Sequence, residues 1–255
     1  MPVECLPFIG FLAGLLVISF GGEGGAIYVG VLTALCGVPP ELAASTSLAT
    51  IIPTTFAGAF GHFRAGNVDL RLAGLLLLSI IPGTLIGTWC SAYIPESIYY
   101  LISAACLLVF STQMLWTLIR QKGQPLRRPG QKLTAKETAE ASFFGLLSGL
   151  MTGAIGLSGG GPITAALFLL RCPALRTVGT SVAVISLMSL TGFLGHLTMG
   201  HIDWRLVALL ASGTITGALA APPLLSRLGK ERAEKVIRPL IITVNYILGV
   251  LILMK

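Results

Sequence analysis

Gly58-Ala59-Phe60-Gly61-His62-Phe63-Arg64-Ala65-Gly66-Asn67-Val68-Asp69-Leu70-Arg71-Leu72 is answered 134 residues later by Gly192-Phe193-Leu194-Gly195-His196-Leu197-Thr198-Met199-Gly200-His201-Ile202-Asp203-Trp204-Arg205-Leu206. Gly58, Gly61, His62, Gly66, Asp69, Arg71 and Leu72 recur at Gly192, Gly195, His196, Gly200, Asp203, Arg205 and Leu206. The same offset places Pro39 on Pro173 and Thr46-Ser47 on Thr180-Ser181. A shift of two further residues brings Gly24-Gly25 onto Gly160-Gly161. Chance rarely keeps one offset through a Gly-x-x-Gly-His and a Gly-x-x-Asp-x-Arg together. The chain is a duplicated unit, a plan common among membrane carriers.

Outward from this repeat the sequence is apolar. Of 255 residues, 54% are hydrophobic and 11% charged, against about 25% charged in a soluble domain. Eight apolar regions lie near 6–36, 42–61, 70–92, 97–119, 142–170, 175–195, 204–226 and 237–254. They are long enough to cross a hydrocarbon core of about 30 Å. This predicts an all-α, multi-pass integral membrane protein. The one extended polar stretch, Arg120 to Glu140, is rich in Pro, Lys and Arg. The expected division is therefore a first membrane repeat over 1–121, a basic linker over 122–140 and a second membrane repeat over 141–255. The first apolar run is expected to belong to the mature protein, because no basic segment or small-residue cleavage site accompanies it.

The net charge of +7 sits between apolar runs, as cytoplasmic loops require, and does not point to nucleic acid. The cysteines Cys5, Cys36, Cys90, Cys106 and Cys172 show no metal-ligand or paired spacing. No metal or other cofactor is expected.

The charges also speak to topology. Residues 6–36 as one straight helix would reach about 45 Å. The first region of each half is broken at its middle, at Gly21-Gly22-Glu23-Gly24-Gly25 and at Ser158-Gly159-Gly160-Gly161-Pro162. Let each fold as a re-entrant or discontinuous segment that returns to its own side, followed by three transmembrane helices. The halves are then inverted, and the linker shares one face with the loops at 62–71, 171–176 and 227–238. That face holds 15 of the 17 Lys and Arg, all but Arg205 and Lys255. Positive-inside counting therefore favours two inverted repeats. Irregular backbone at membrane depth must be buried in protein or line a cavity, so the two glycine breaks are expected to meet.

Those breaks are the first candidates for chemistry. Glycine brings backbone N–H groups close to a ligand, and a half-helix starting at such a break offers free N–H groups and a positive dipole end to an anion. Gly22, Gly24, Gly25, Ser158, Gly159, Gly160 and Gly161 are the candidate substrate-binding residues. Scattered glycines such as Gly83 and Gly87 read instead as close helix packing. Thr46-Ser47 and Thr180-Ser181 add hydroxyls that either cap the following helices or donate to the ligand. Glu23 is the acidic residue inside an apolar run, a functional candidate by position and a carrier for a coupled proton. His62 and His196 lie at equivalent helix ends and are candidates for gating. Asp69 and Asp203 read as helix N-caps. Gly156-Leu157-Ser158-Gly159 spells the Gly-x-Ser-Gly of intramembrane serine proteases, with His196 or His201 as a base. The duplication of this element without the serine argues against an enzyme.

The ordered set of an N-terminal glycine loop, Val38-Pro39, Ser45-Thr46-Ser47, the Gly66 to Asp69 turn, a basic linker, Gly156 to Pro162 and Gly179-Thr180-Ser181 resembles the sulfite exporter TauE/SafE family over essentially the whole chain. The resemblance implies a permease of the bacterial inner (plasma) membrane for sulfite, sulfonates or other small organosulfur anions. Glu23 stands where the second half has glycine, so the site is not expected to be symmetric. The expected function is a secondary anion transporter, with an anion channel as the alternative. Its expected partners are a small anionic substrate, the bilayer and protons. Homo-oligomerisation is left open.

Overall fold

The computed structural model describes residues 5–22, 24, 27, 28, 31, 32, 36–38, 40–91, 96–121, 123–128, 130–155, 159–196 and 202–254; some side chains within its helices, His196 among them, lie outside the description. The described residues form helices α1 (Leu6–Ser19), α2 (Pro40–Arg64), α3 (Leu70–Ser91), α4 (Glu96–Arg120), α5 (Ala135–Ile155), α6 (Gly160–Leu169), α7 (Ala174–His196), α8 (Trp204–Arg227) and α9 (Lys230–Leu253). The fold is all-α, as apolar runs of membrane-spanning length require.

Local chemistry sets the ends. The Asp69 carboxylate accepts from the N–H groups of Arg71 and Leu72 at 3.2 and 3.3 Å. Asp203 does the same for Arg205 and Leu206 at 3.0 and 3.1 Å. Both are N-caps, as their equivalent positions suggest. α2 ends in a turn where Asn67 N–H donates to His62 O and Gly66 N–H to Phe63 O. Gly66 there has φ 70°, the left-handed position that glycine fills at helix ends.

Two helices start earlier than their apolar runs. α5 begins at Ala135 and α9 at Lys230, each continuing one or two polar turns beyond the apolar segment. Hydropathy reports where lipid begins, whereas the start of α5 is set by a capping box: Glu137 N–H donates to the Thr134 hydroxyl and the Glu137 carboxylate accepts from Thr134 N–H at 2.8 Å.

The membrane character is plain on the outside. Windows Leu70–Gly87, Ala174–Thr191 and Trp204–Arg227 are long and apolar enough to cross a bilayer. Large apolar side chains face outward, with Leu78 73% and Leu85 68% exposed, a pattern suited to lipid and not to water.

The packing joins one half to the other. α3 lies against α5, and α1 against α8. Each contact is built from glycines four residues apart. A Cβ at Gly83, Gly87 or Gly149 would overlap the opposing backbone of α5 or α3, and one at Gly145 would overlap the Ser79 side chain. Gly10, Gly14, Gly213 and Gly217 play the same part between α1 and α8. With little hydrophobic drive between helices in lipid, such close backbone approach is what gains dispersion contacts. Gly83 and Gly87 are packing glycines.

The basic loops gather at the α6–α7 turn. Arg127 N–H donates to Arg171 O at 2.9 Å, Arg176 pairs with Asp69 at 3.7 Å, and Arg238 donates to Cys172 O at 2.6 Å. Arg127 also donates to Glu137 at the start of α5 at 2.9 Å. One residue thus touches both the beginning of α5 and the end of α6. The beginning of α5 and the end of α6 therefore lie close together. α6, with ten residues, extends roughly 15 Å at 1.5 Å per residue, half a hydrocarbon core.

Candidate functional site

The first break follows α1 at once. Gly21 and Gly22 have φ 91° and 93°, and Gly22 N–H returns to Val17 O at 2.8 Å. The Gly21 carbonyl accepts from Ser181 Oγ of α7 at 2.7 Å. A Cβ at Gly21 would stand 3.0 Å from Thr164 Cγ2 on α6, and one at Gly22 3.0 Å from Ile185 on α7. Gly24 N–H donates to Gly22 O at 2.8 Å, and Gly24 O accepts from Tyr28 N–H at 2.9 Å.

The second break is Gly159, the N-cap of α6. Its N–H donates to Thr152 Oγ1 at 3.1 Å and its carbonyl accepts from Ser148 Oγ at 2.6 Å. Both polar groups of Gly159 are therefore held by α5. Gly160 and Gly161 open α6 and are fully enclosed; their carbonyls accept from Thr164 Oγ1 at 3.0 and 2.9 Å. The N–H groups of a helix's first turn have no partner within it. Thr164 contacts Gly21 with its methyl and the second break with its hydroxyl. The two breaks meet across one side chain.

The threonine–serine pairs divide their work. α2 begins at Pro40 and α7 at Ala174, so Thr46, Ser47, Thr180 and Ser181 stand inside helices. The capping alternative for them is overturned, because the helices start six residues ahead of each pair. Thr180 Oγ1 accepts from Asp69 N–H at 3.0 Å, and Thr46 Oγ1 accepts from Asp203 N–H at 3.4 Å. Each threonine braces the helix start of the other half. Ser181 alone of the second pair reaches a glycine break; Ser47 is buried and engaged.

His62 is fully buried, its Nδ1 3.4 Å from Asn67 Nδ2. It is not a polar tip at an aqueous edge. Glu23, Gly25 and Ser158, like His201, lie outside the described residues, as does the side chain of His196.

Sequence reading passed over two hydroxyl groups of the interior. Thr50 Oγ1 donates to Thr46 O and Thr54 Oγ1 to Thr50 O, both at 2.8 Å. Thr54 Oγ1 and Thr214 Oγ1 are hydrogen-bonded to each other at 2.6 Å. The buried Tyr28 hydroxyl faces both, outside the geometry of an ordinary hydrogen bond. Ser148 and Thr152 form the corresponding polar patch at the second break. The spacing Thr46, Thr50, Thr54 puts hydroxyls on one helix face and was a readable signal.

The sequence pattern of the family described as Sulfite exporter TauE/SafE matches residues 6–252. The chain belongs to this family. Its relatives include the "Probable membrane transporter protein YdhB" of Bacillus subtilis, 26% identical over 211 residues that cover 82% of this chain and 84% of the relative. A "Probable membrane transporter protein" of Haemophilus influenzae is 30% identical over 210 residues, covering 77% of this chain and 74% of its own. The "Probable membrane transporter protein YunE" of Bacillus subtilis is 24% identical over 238 residues, covering 85% of this chain and 86% of the relative. The TauE/SafE chain described here is thus a multi-pass membrane transporter, and the glycine breaks lie within its matched span.

Proposed function

We propose that the protein is a secondary carrier for small organosulfur or sulfite-like oxyanions, with the two glycine breaks as its substrate site. The observation that carries this reading is the meeting of the breaks at Thr164 and Ser181, with the N-terminus of α6 buried beside them. A half-helix N-terminus inside the protein favours an oxyanion without a fixed cation. Gly160 and Gly161 would offer N–H groups; Gly22, Gly24 and Gly25 would shape the opposite wall. Ser158 would add a hydroxyl donor, and the engaged Ser47 would line the wall. Gly159, Thr46 and Thr180 would act by holding the walls, since their polar groups already serve α5 and the partner half.

The halves are proposed to be inverted repeats over 1–121 and 141–255, which would give the alternating exposure a carrier needs. The gathering of the basic loops at the α6–α7 turn and the closeness of the α5 start to the α6 end support that arrangement. Glu23 is proposed to carry a coupled proton, and movement about His62 and His196 to gate the site.

The test is uptake and efflux of radiolabelled sulfite and of a simple sulfonate in proteoliposomes, with and without a pH gradient. Saturable flux that falls at least tenfold in Ser181→Ala, with the protein still folded, is the expected result. Flux that rises linearly with concentration would indicate a channel. No flux of either anion would overturn the substrate class.

A further inference from the structure

On the basic face, the linker, the start of α5 and the α6–α7 turn enclose a cavity of about 360 Å³ lined by Arg127, Arg128, Gln131, Glu137, Leu170 and Arg171 among others. Arg127 is structural there. It donates to the Glu137 carboxylate at 2.9 Å and to the carbonyls of Gln131 and Lys132 at 2.8 and 3.0 Å. Glu137 offsets its charge, and among the described residues the remaining lining holds no other carboxylate. Arg128 and Arg171 therefore leave the wall with two uncompensated positive charges. Arg171 Nη1 donates to the neutral amide oxygen of Gln124 at 3.2 Å.

Arg171 is also conformationally out of place. Its φ of 58° makes it the one non-glycine residue in the left-handed region among the described residues. The turn that closes α6 has Arg171 N–H donating to Phe168 O and Cys172 N–H to Leu167 O, at 2.9 and 3.0 Å. This is the turn that ends α2, where the same position is Gly66 with φ 70°. After α8 the left-handed residue is again a glycine, Gly229 with φ 72°. Glycine is the low-energy residue at such a helix end. An arginine held there against its backbone preference points to a use for its side chain.

We infer that this cavity is a binding site for a phosphate-bearing anion, separate from the transport pathway. Two guanidinium groups from different elements suit the several oxygens of a phosphate, which each can meet with paired N–H donors. The cavity is far larger than one sulfite-like anion and has room for a phosphate with its substituent. Its depth fits the headgroup layer: Leu126 in its wall is 40% exposed, and Arg120 at the neighbouring end of α4 stacks on Trp116 at 4.5 Å, the interfacial pairing of aromatic and basic groups. The phosphate can belong to an anionic lipid headgroup or to a soluble phosphate ester, and the chemistry at the arginines is the same.

The experiment uses the full chain purified in uncharged detergent and follows its thermal unfolding. One arm adds pyrophosphate; a second adds phosphatidylglycerol, with phosphatidylcholine as the reference. The expected result is a rise in Tm with pyrophosphate, phosphatidylglycerol or both, the responding arm identifying the source. Arg171→Gly should keep or raise the Tm without ligand, because glycine relaxes the turn, and should lose most of the ligand-induced rise. Arg128→Gln, which leaves the turn untouched, should weaken binding several-fold. Wild-type protein that responds to neither probe, or variants that respond like wild type, would overturn the assignment. None of these readouts depends on transport, so the site stands or falls independently of the carrier reading.

Discussion

The backbone N–H of Asp69 donates to the hydroxyl of Thr180, 3.0 Å away and 111 positions along the chain. Its counterpart, Asp203 N–H on Thr46, joins the same two repeat positions with the halves exchanged, at 3.4 Å. Each half thereby fixes the start of a helix in the other. An exchanged pair of this kind is what a twofold relation between repeats produces. It ties the glycine breaks to both halves, because Ser181, next to Thr180, holds Gly21.

Removing the acceptor tests that tie. Thr180→Val keeps the side-chain shape and leaves the Asp69 N–H without its partner, a loss of about 1–3 kcal/mol. Thr180→Ser should recover most of it. Thr46→Val should cost less, since its bond is longer. Denaturant unfolding in detergent measures all three.

The glycine seams should be the least tolerant part of the fold. Gly149→Val and Gly217→Val would drive side chains into the backbone of α3 and α1, and overpacking of this kind costs about 1–3 kcal/mol or more. Gly74→Ala, where a Cβ meets nothing within 4 Å, should leave stability unchanged or slightly higher. Similar losses at Gly74 and Gly149 would refute the seam.

Acid should loosen the linker before the helices. Glu137 has its carboxyl held below the ordinary range, first by the Thr134 N–H and then by the Thr134 hydroxyl and Arg127, against a smaller opposing effect of burial. A carboxylate with a lowered folded pKa contributes stability above its unfolded pKa and loses it as pH falls through the folded value. Wild type should therefore show protease cleavage within 123–134 that increases as pH drops below the usual carboxylate range. Glu137→Gln should show that cleavage already at neutral pH, with a flatter pH profile.

The Tyr28 hydroxyl offers a test of the proposed function that leaves packing intact. It is buried and faces Thr54 and Thr214 without an ordinary hydrogen bond to either. If it meets the substrate during the cycle, Tyr28→Phe should raise the KM for the transported anion several-fold while the unfolding midpoint stays within error. A raised midpoint with unchanged KM would mean that the hydroxyl serves no ligand.

The sequence by itself determined that the chain lives in a membrane as a set of helices, and it displays one set of motifs twice at a constant offset. Those properties are written in local hydropathy and in a constant offset, and neither needs a fold to be seen. It also marked Asp69 and Asp203 as caps, because a cap acts within one helical turn. What only the tertiary structure decided was which partner each repeated group would find. Thr46 and Thr180 look alike as caps or ligands until the other half supplies Asp203 and Asp69. Gly159 looks like a free N–H donor until α5 brings Thr152 against it. His62 looks like an edge residue until Asn67 folds over it. Pairings across more than a hundred residues are fixed by the shape of helix seams, and a linear pattern of apolar residues carries no record of which seam will close on which.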